Sequence, residues 1–415
     1  MRISTEWLPK GPNAAAEEAA TVARIRIAIG KQNATDMRIE RENQIVNHVI
    51  APAYPLAEAI SYRWWTLIYG RGRGTRLRSM RGGFAIPDIS IKVNGNGRID
   101  VACEPFIYEN PPVEFVSKAW ESVPVHTFEN DVRDFIANVV QRLLEEKVEA
   151  TPLANRWSRI IETLGNAQEK DFCQAAGALG VDPYTCTEDT ASFIGAAATI
   201  FDGDELEEFL AGVRPESGMS AIGWVRQAEQ QPDDSWCLLP AIEDCRKDLA
   251  FRKTAGAPWT AGYASARRVR RHLQISESEP VTDLSALATR LGNNRFRATE
   301  PSNTGLRGVS HLLRGRPRAI VGGSRHPAAL LFAVARTFGD AIHFGSSKPS
   351  PITDQIGTYR QALARAFAAE FLAPLTPILE MHSKGDPIEE IAETFGVSEM
   401  VIHHQIENKQ NNLSA

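Results

Sequence analysis

Apolar and polar side chains alternate from Ala23 to Ile29, the period-two pattern of a half-buried strand, and Gly30 ends it. From Pro55 the period lengthens. Leu56, Ile60, Trp64, Leu67 and Ile68 share one helical face while Tyr62, Trp65 and Tyr69 form a second stripe, so this helix is expected to be buried on both sides. Ile89, Ile91 and Val93 alternate up to Asn94-Gly95-Asn96-Gly97, after which Ile99, Val101 and Cys103 alternate again; Asn-Gly supplies the positive φ angles of a tight hairpin turn. A long amphipathic helix follows, with Val132, Phe135, Ile136, Val139, Val140, Leu143 and Leu144 on its stripe, ending before Thr151-Pro152.

Residues 152–250 read as helices, with stops at Gly180 and Asp182-Pro183 and a restart near Thr187, whose hydroxyl suits an N-cap. Their acidity concentrates in Asp202–Glu208, and a loop from Gln231 and the Gly256-Ala257-Pro258 stretch mark the next boundary. The expected fold class is α+β in three parts. A mixed α/β domain with a β-hairpin spans 1–150, an acidic helical module 151–252, and a mostly helical domain with a small sheet 253–415.

A chain of 415 residues is long enough for two or three domains, each with a real core. The longest apolar run, Ala328–Ala335, falls far short of the roughly 18–20 residues of a membrane helix, and Met1–Gly11 contains no apolar signal core, so a cytoplasmic protein without membrane partners is expected. Cys103, Cys173, Cys186, Cys237 and Cys245 are scattered and form no C-x-x-C pair, which predicts reduced thiols. The net charge of −5 hides an asymmetry: residues 151–250 carry −11 and residues 251–350 carry +11. Such blocks can face each other within the fold or meet separate partners.

The last third shows a distinctive succession of elements. An Arg-studded helix over Ala261–Leu273 precedes a short helix over Leu284–Leu291, then a basic strand pair around Arg295–Arg297 and Arg318–Val321. An apolar helix containing Phe332–Asp340 comes next, then Ala364–Pro374 with its Phe-Ala-Ala-Glu-x-Leu-x-Pro-like run, then Ile391–Ser398 and Val401–Asn408. Over roughly residues 255–410 this resembles the ImmA/IrrE family of zinc metallopeptidases, regulators typical of mobile elements and stress responses. The resemblance implies a catalytic helix with a His-Glu-x-x-His motif, two imidazoles one turn apart holding zinc beside a general base. Matching Phe332 and Ala335 to the family pattern puts Arg336, Thr337 and Asp340 where His, Glu and His should stand, and Leu363 at the third-ligand position, with Arg365 in place of the family's Asn. A guanidinium has no acceptor for a cation and Thr337 is no carboxylate base, so neither zinc nor any other cofactor, nor peptidase activity, is expected. Arg336 and Asp340 stand i,i+4 and are expected to form an ion pair, which need do no more than plug the vacated cavity. His326 and His343 near the same helix leave open a displaced metal site.

Two further features bear on partners. Ile391–Asn408 fits a helix-turn-helix, yet its second helix shows Glu399, His403, His404 and Glu407, which suits packing better than phosphate contact. The loop carrying Arg71, Arg73, Arg76, Arg78 and Arg81 lies near Trp64-Trp65 and suits phosphate contacts and base stacking, or is simply a solvated basic loop; Arg267, Arg268, Arg270 and Arg271 form a second cluster. The expected function is non-catalytic: a regulatory or defence-associated protein that recognises a protein partner through a zinc-less ImmA/IrrE-like domain. The alternatives are a DNA- or RNA-binding subunit of a larger complex, acting through the arginine loop, and a peptidase with a displaced metal.

Overall fold

The computed structural model describes residues 1–415 apart from 12–13, 40–43, 73, 110–112, 231–245, 247–256, 291–297, 299–303, 314–315, 325, 347 and 414–415, and apart from the side chains of 288, 290, 311–313, 316–318 and 409–413. It is an α+β protein that divides into two compact units, Met1–Ile194 and Gly195–Ala415.

The first unit runs β1 (Arg2–Trp7), α1 (Ala16–Ala20), β2 (Val22–Ile29), β3 (Gln32–Asn33), β4 (Met37–Ile39), β5 (Gln44–Val46), β6 (Val49–Pro52), α2 (Tyr54–Tyr62), α3 (Trp64–Tyr69), β7 (Gly74–Arg76), β8 (Ile89–Val93), β9 (Arg98–Cys103), β10 (Phe106–Tyr108), β11 (Val113–Phe115), β12 (Ala119–Pro124), α4 (Val125–Glu145), α5 (Pro152–Leu164) and α6 (Ala167–Leu179). Its strands form three antiparallel sheets: β1-β2-β3 with β6 also on β2, β10-β11-β4-β5, and β12-β9-β8-β7. The alternation in β2 has its expected effect, burying Ala23, Ile25, Ile27 and Ile29 while Arg24 turns outward to Glu6 at 2.7 Å. The hairpin forms as expected between β8 and β9, pairing Val93 with Ile99, with Gly95 and Gly97 at φ +78° and +71°.

The single helix expected from Pro55 is two helices, broken at Arg63. The break lets the adjacent tryptophans each find a wall. Trp64 meets Trp157 edge-on at 5.4 Å, and Trp65 stacks on Tyr69 at 5.9 Å. Tyr62 stays half exposed, so the second stripe is buried only from Trp65 onward. The α4 stripe is buried apart from the half-buried Val140 and the exposed Leu144, and Thr151 caps α5 by accepting from the Ala154 N–H at 3.1 Å. Leu153, Trp157, Ile160 and Cys173 share the core of the first unit, so the stretch expected as a module over 151–252 is divided, its early helices packing with residues 1–150.

The chain passes between the units within α7 (Glu188–Ala198). The second unit contains α8 (Gly203–Gly212), α9 (Gly218–Glu229), α10 (Pro258–His272), α11 (Leu284–Arg290), β13 (Leu306–Leu313), β14 (Arg316–Val321), α12 (Pro327–His343), β15 (Ser350–Thr353), α13 (Tyr359–Leu372), α14 (Leu375–Lys384), α15 (Ile388–Phe395) and α16 (Glu399–Leu413). Its antiparallel sheet has the order β14-β13-β15; β14 pairs with β13, and residues 295–297 lie outside the described residues. Among the described residues no single helix is long and apolar enough to cross a membrane, and Cys103, Cys173 and Cys186 are free thiols; Cys237 and Cys245 lie outside the description.

Candidate functional site

α12 is apolar nearly all round, and a helix of that kind must be covered on every side. Leu331 and every residue from Ala333 to Ile342 are buried. Two glycines set how closely its neighbours approach: a Cβ on Gly339 would come within 2.5 Å of the Phe367 ring of α13, and one on Gly308 of β13 within 2.6 Å of Thr337 Oγ1. Thr337 is thereby pressed against the sheet, and its hydroxyl donates to Ala333 O at 2.8 Å within its own helix.

Arg336 and Asp340 do not pair with each other. Asp340, fully buried, takes Arg360 of α13 through both carboxylate oxygens, at 2.6 Å from Nε and 2.8 Å from Nη2, and also accepts from Ser310 Oγ of β13. Arg336, equally buried, donates to Asp354, to Thr353 O at 2.9 Å and to Gln361 Oε1 at 3.1 Å. The i,i+4 spacing puts the two groups on one face, but each is met from outside the helix: Arg360 gives Asp340 two parallel bonds, and Arg336 has Asp354, Thr353 O and Gln361. The expected ion pair is therefore corrected to two separate ones, Asp340 with Arg360 and Arg336 with Asp354. Gln361 ties them to the acidic run of α8, donating to Glu208 at 3.2 Å and to Pro351 O at 2.8 Å, while Arg360 also reaches Glu205 at 3.2 Å. Leu363 is buried and contributes no polar atom. The α13 residues that face the α12 pair are Arg360 and Gln361, and the sequence pointed to neither.

Burial and ion pairing oppose each other at this site. It pulls the Arg336 guanidinium down to about 10 against the opposing pull of Asp354. Burial also works against Arg360, but Asp340 outweighs it and holds that guanidinium above its ordinary value. Asp354 is held low, because Arg336 and Arg307 outweigh its burial; Arg307 Nε lies 2.6 Å from it. Burial pushes His343 down to about 4. Its Nε2 lies 2.7 Å from Ser265 Oγ, and Ser265 spends its one hydroxyl hydrogen on Gly262 O at 2.9 Å, so His343 is the donor and Ser265 is not an activated nucleophile.

These side chains do not fit zinc. Arg336 has no lone pair to offer a cation, both oxygens of Asp340 are committed, and among the described residues no three His, Cys, Asp or Glu side chains are placed to hold a metal ion.

Comparison with known families gives one match, the IrrE N-terminal-like domain of the Peptidase_M78 family, over residues 348–407. The second unit contains an IrrE-like domain. The match begins after α12, so it takes in Leu363, Arg360 and Gln361 but not Arg336, Thr337 or Asp340. No curated protein and no solved structure matches the chain.

Within the IrrE-like domain the expected helix-turn-helix is the pair α15 and α16, turned at Gly396 with φ +63°. Gln405 of α16 is buried and donates to Ala373 O at 2.9 Å and Glu370 at 3.2 Å, which ties α16 to the end of α13; His403, His404 and Glu407 stay exposed. The α10 arginines are not one surface cluster. Arg270 is buried and binds backbone carbonyls of Phe371, Ser276 and Glu279; Arg267 holds the buried Glu370 at 2.5 Å; Arg268 is half-buried and Arg271 exposed. In the first unit, Arg71 is buried beside Val93, Arg76 and Arg78 share Asp88, and Arg78 and Arg81 cover the rings of Phe106 and Tyr108 at 4.8 and 4.9 Å. Arg73 lies outside the described residues. Of the charge blocks, Lys348 reaches Asp202 at 3.7 Å.

Proposed function

We propose that the IrrE-like domain is a non-catalytic recognition domain in a regulatory or defence-associated protein, with another protein as its partner. One observation carries this reading: where the resemblance puts a metal and a base, Asp340 is buried against Arg360, and Arg336 is buried against the exposed Asp354 and held by Gln361, which in turn donates to Glu208 of α8. A side-chain set of this kind stores no reactive group, yet it fixes the shape of the domain surface around it. Nucleic-acid binding through the arginine loop is the alternative, supported by Arg76, which stays 58% exposed beside Asp88.

The test is purification of the tagged full chain at about 50 mM salt, where multi-phosphate contacts are strong. A protein partner in fixed stoichiometry, retained after nuclease digestion and at higher salt, is the expected result. Bound nucleic acid that is lost when Arg71, Arg73, Arg76, Arg78 and Arg81 are replaced by Ser would overturn the reading in favour of the alternative.

A further inference from the structure

Outside the locked pair, the second unit holds a cleft of ≈ 860 Å³ at the end of the sheet where β13 begins, within the range of about 300–1,000 Å³ usual for small-molecule sites. Among the described residues three charged groups line it. Arg214 and Glu216 are exposed and make no ion pair among the described residues; Arg307 gives only its Nε to Asp354, which leaves both terminal nitrogens of its fork unbonded there. Gly305, Gly322 and Gly323 form part of the wall, with the Gln355 side chain against Gly305. Among the described residues no aromatic ring lines the cleft, and Leu306 is the one apolar side chain.

We propose that this cleft binds a phosphorylated, hydroxyl-bearing small molecule of sugar-phosphate size. Two guanidiniums on one polar cleft suit a dianion, since each can give a forked pair of charge-assisted hydrogen bonds to phosphate oxygens. A carboxylate in the same cleft repels phosphate but accepts from hydroxyl groups, so Glu216 selects a ligand that carries both. A nucleotide would present a base, and among the described residues the lining offers no ring on which to stack it. This proposal stands apart from the partner-recognition reading and can fail without it.

Titration calorimetry on the full chain tests it, with ribose 5-phosphate, ribose, inorganic phosphate and AMP as probes. Ribose 5-phosphate should bind saturably and more tightly than phosphate or ribose. Arg214→Gln, at an exposed position, should weaken it about tenfold or more, the scale of one lost charge-assisted hydrogen bond. Glu216→Gln should weaken ribose 5-phosphate and leave phosphate unchanged or stronger. Arg307→Lys, which keeps a cation beside Asp354, should also weaken ribose 5-phosphate. Absence of saturable ribose 5-phosphate binding at about 10 mM, well above the millimolar floor of useful affinity, would overturn the site. Binding indifferent to Arg214→Gln would do the same. Phosphate binding as tight as ribose 5-phosphate, or AMP tighter than both, would overturn the ligand class.

Discussion

Asp340 is a fully buried carboxylate whose charge is met by Arg360 from the next helix rather than by Arg336 one turn away. Removing one partner of a buried pair strands the other, at a cost of about 3–5 kcal/mol. Asp340→Ala should therefore lose stability on that scale in denaturant unfolding. A double-mutant cycle should give a coupling for Asp340 with Arg360 well above that for Asp340 with Arg336; the reverse order would restore the helix-internal pair. His343 makes a second prediction. Burial lowers its folded-state pKa from 6.5 to about 4, so between those values the unfolded chain binds a proton that the folded chain does not. Its contribution is fully present above pH 6.5 and is lost as pH falls toward 4, by on the order of 3 kcal/mol. His343→Gln, which retains a donor for Ser265, should flatten that part of the stability–pH profile relative to the parent chain, and identical profiles would show that His343 does not titrate in this way.

At the scale of elements, α12 and α13 meet through Gly339 and the Phe367 ring, an approach that no larger residue permits. Gly339→Ala gains about 1 kcal/mol of helix propensity but overpacks the contact by about 1–3 kcal/mol, so a net loss in unfolding free energy is expected; a gain would mean that the two helices have room to part. Elements with a local signal were readable from sequence. β2, the β8–β9 hairpin, α4 and the α15–α16 pair are set by alternation, an Asn-Gly turn, a helical stripe and a glycine stop. Elements defined by distant partners were not. β15 is Ser-Pro-Ile-Thr with all four residues buried, so it shows no alternation, and its pairing with β13 spans some forty residues. The same limit applied to the site. The motif positions on α12 could be found within one helix, but Asp354, Arg360, Gln361 and Glu208 come from three other stretches, and no local pattern links them.

For the whole molecule, the acidic and basic blocks of the sequence turn out to be partly internal. Glu205 and Glu208 belong to the acidic run yet serve buried partners on α13, Arg270 of the basic block is a buried carbonyl clamp, and Arg267 neutralises Glu370. Charge counted along the chain therefore overstates the field left for partners. What remains distinctive is a buried cluster of guanidiniums, carboxylates and an amide beside an IrrE-like domain, and the proposal that this domain recognises rather than cleaves depends on that cluster standing where the family resemblance puts the metal. The most direct measurement is the zinc content of full-length protein purified without chelator. Far less than one zinc per chain, with thermal stability unmoved by added chelator or zinc, is the predicted result. About one zinc per chain, whose removal lowers stability and whose binding is lost in His343→Gln, would contradict it.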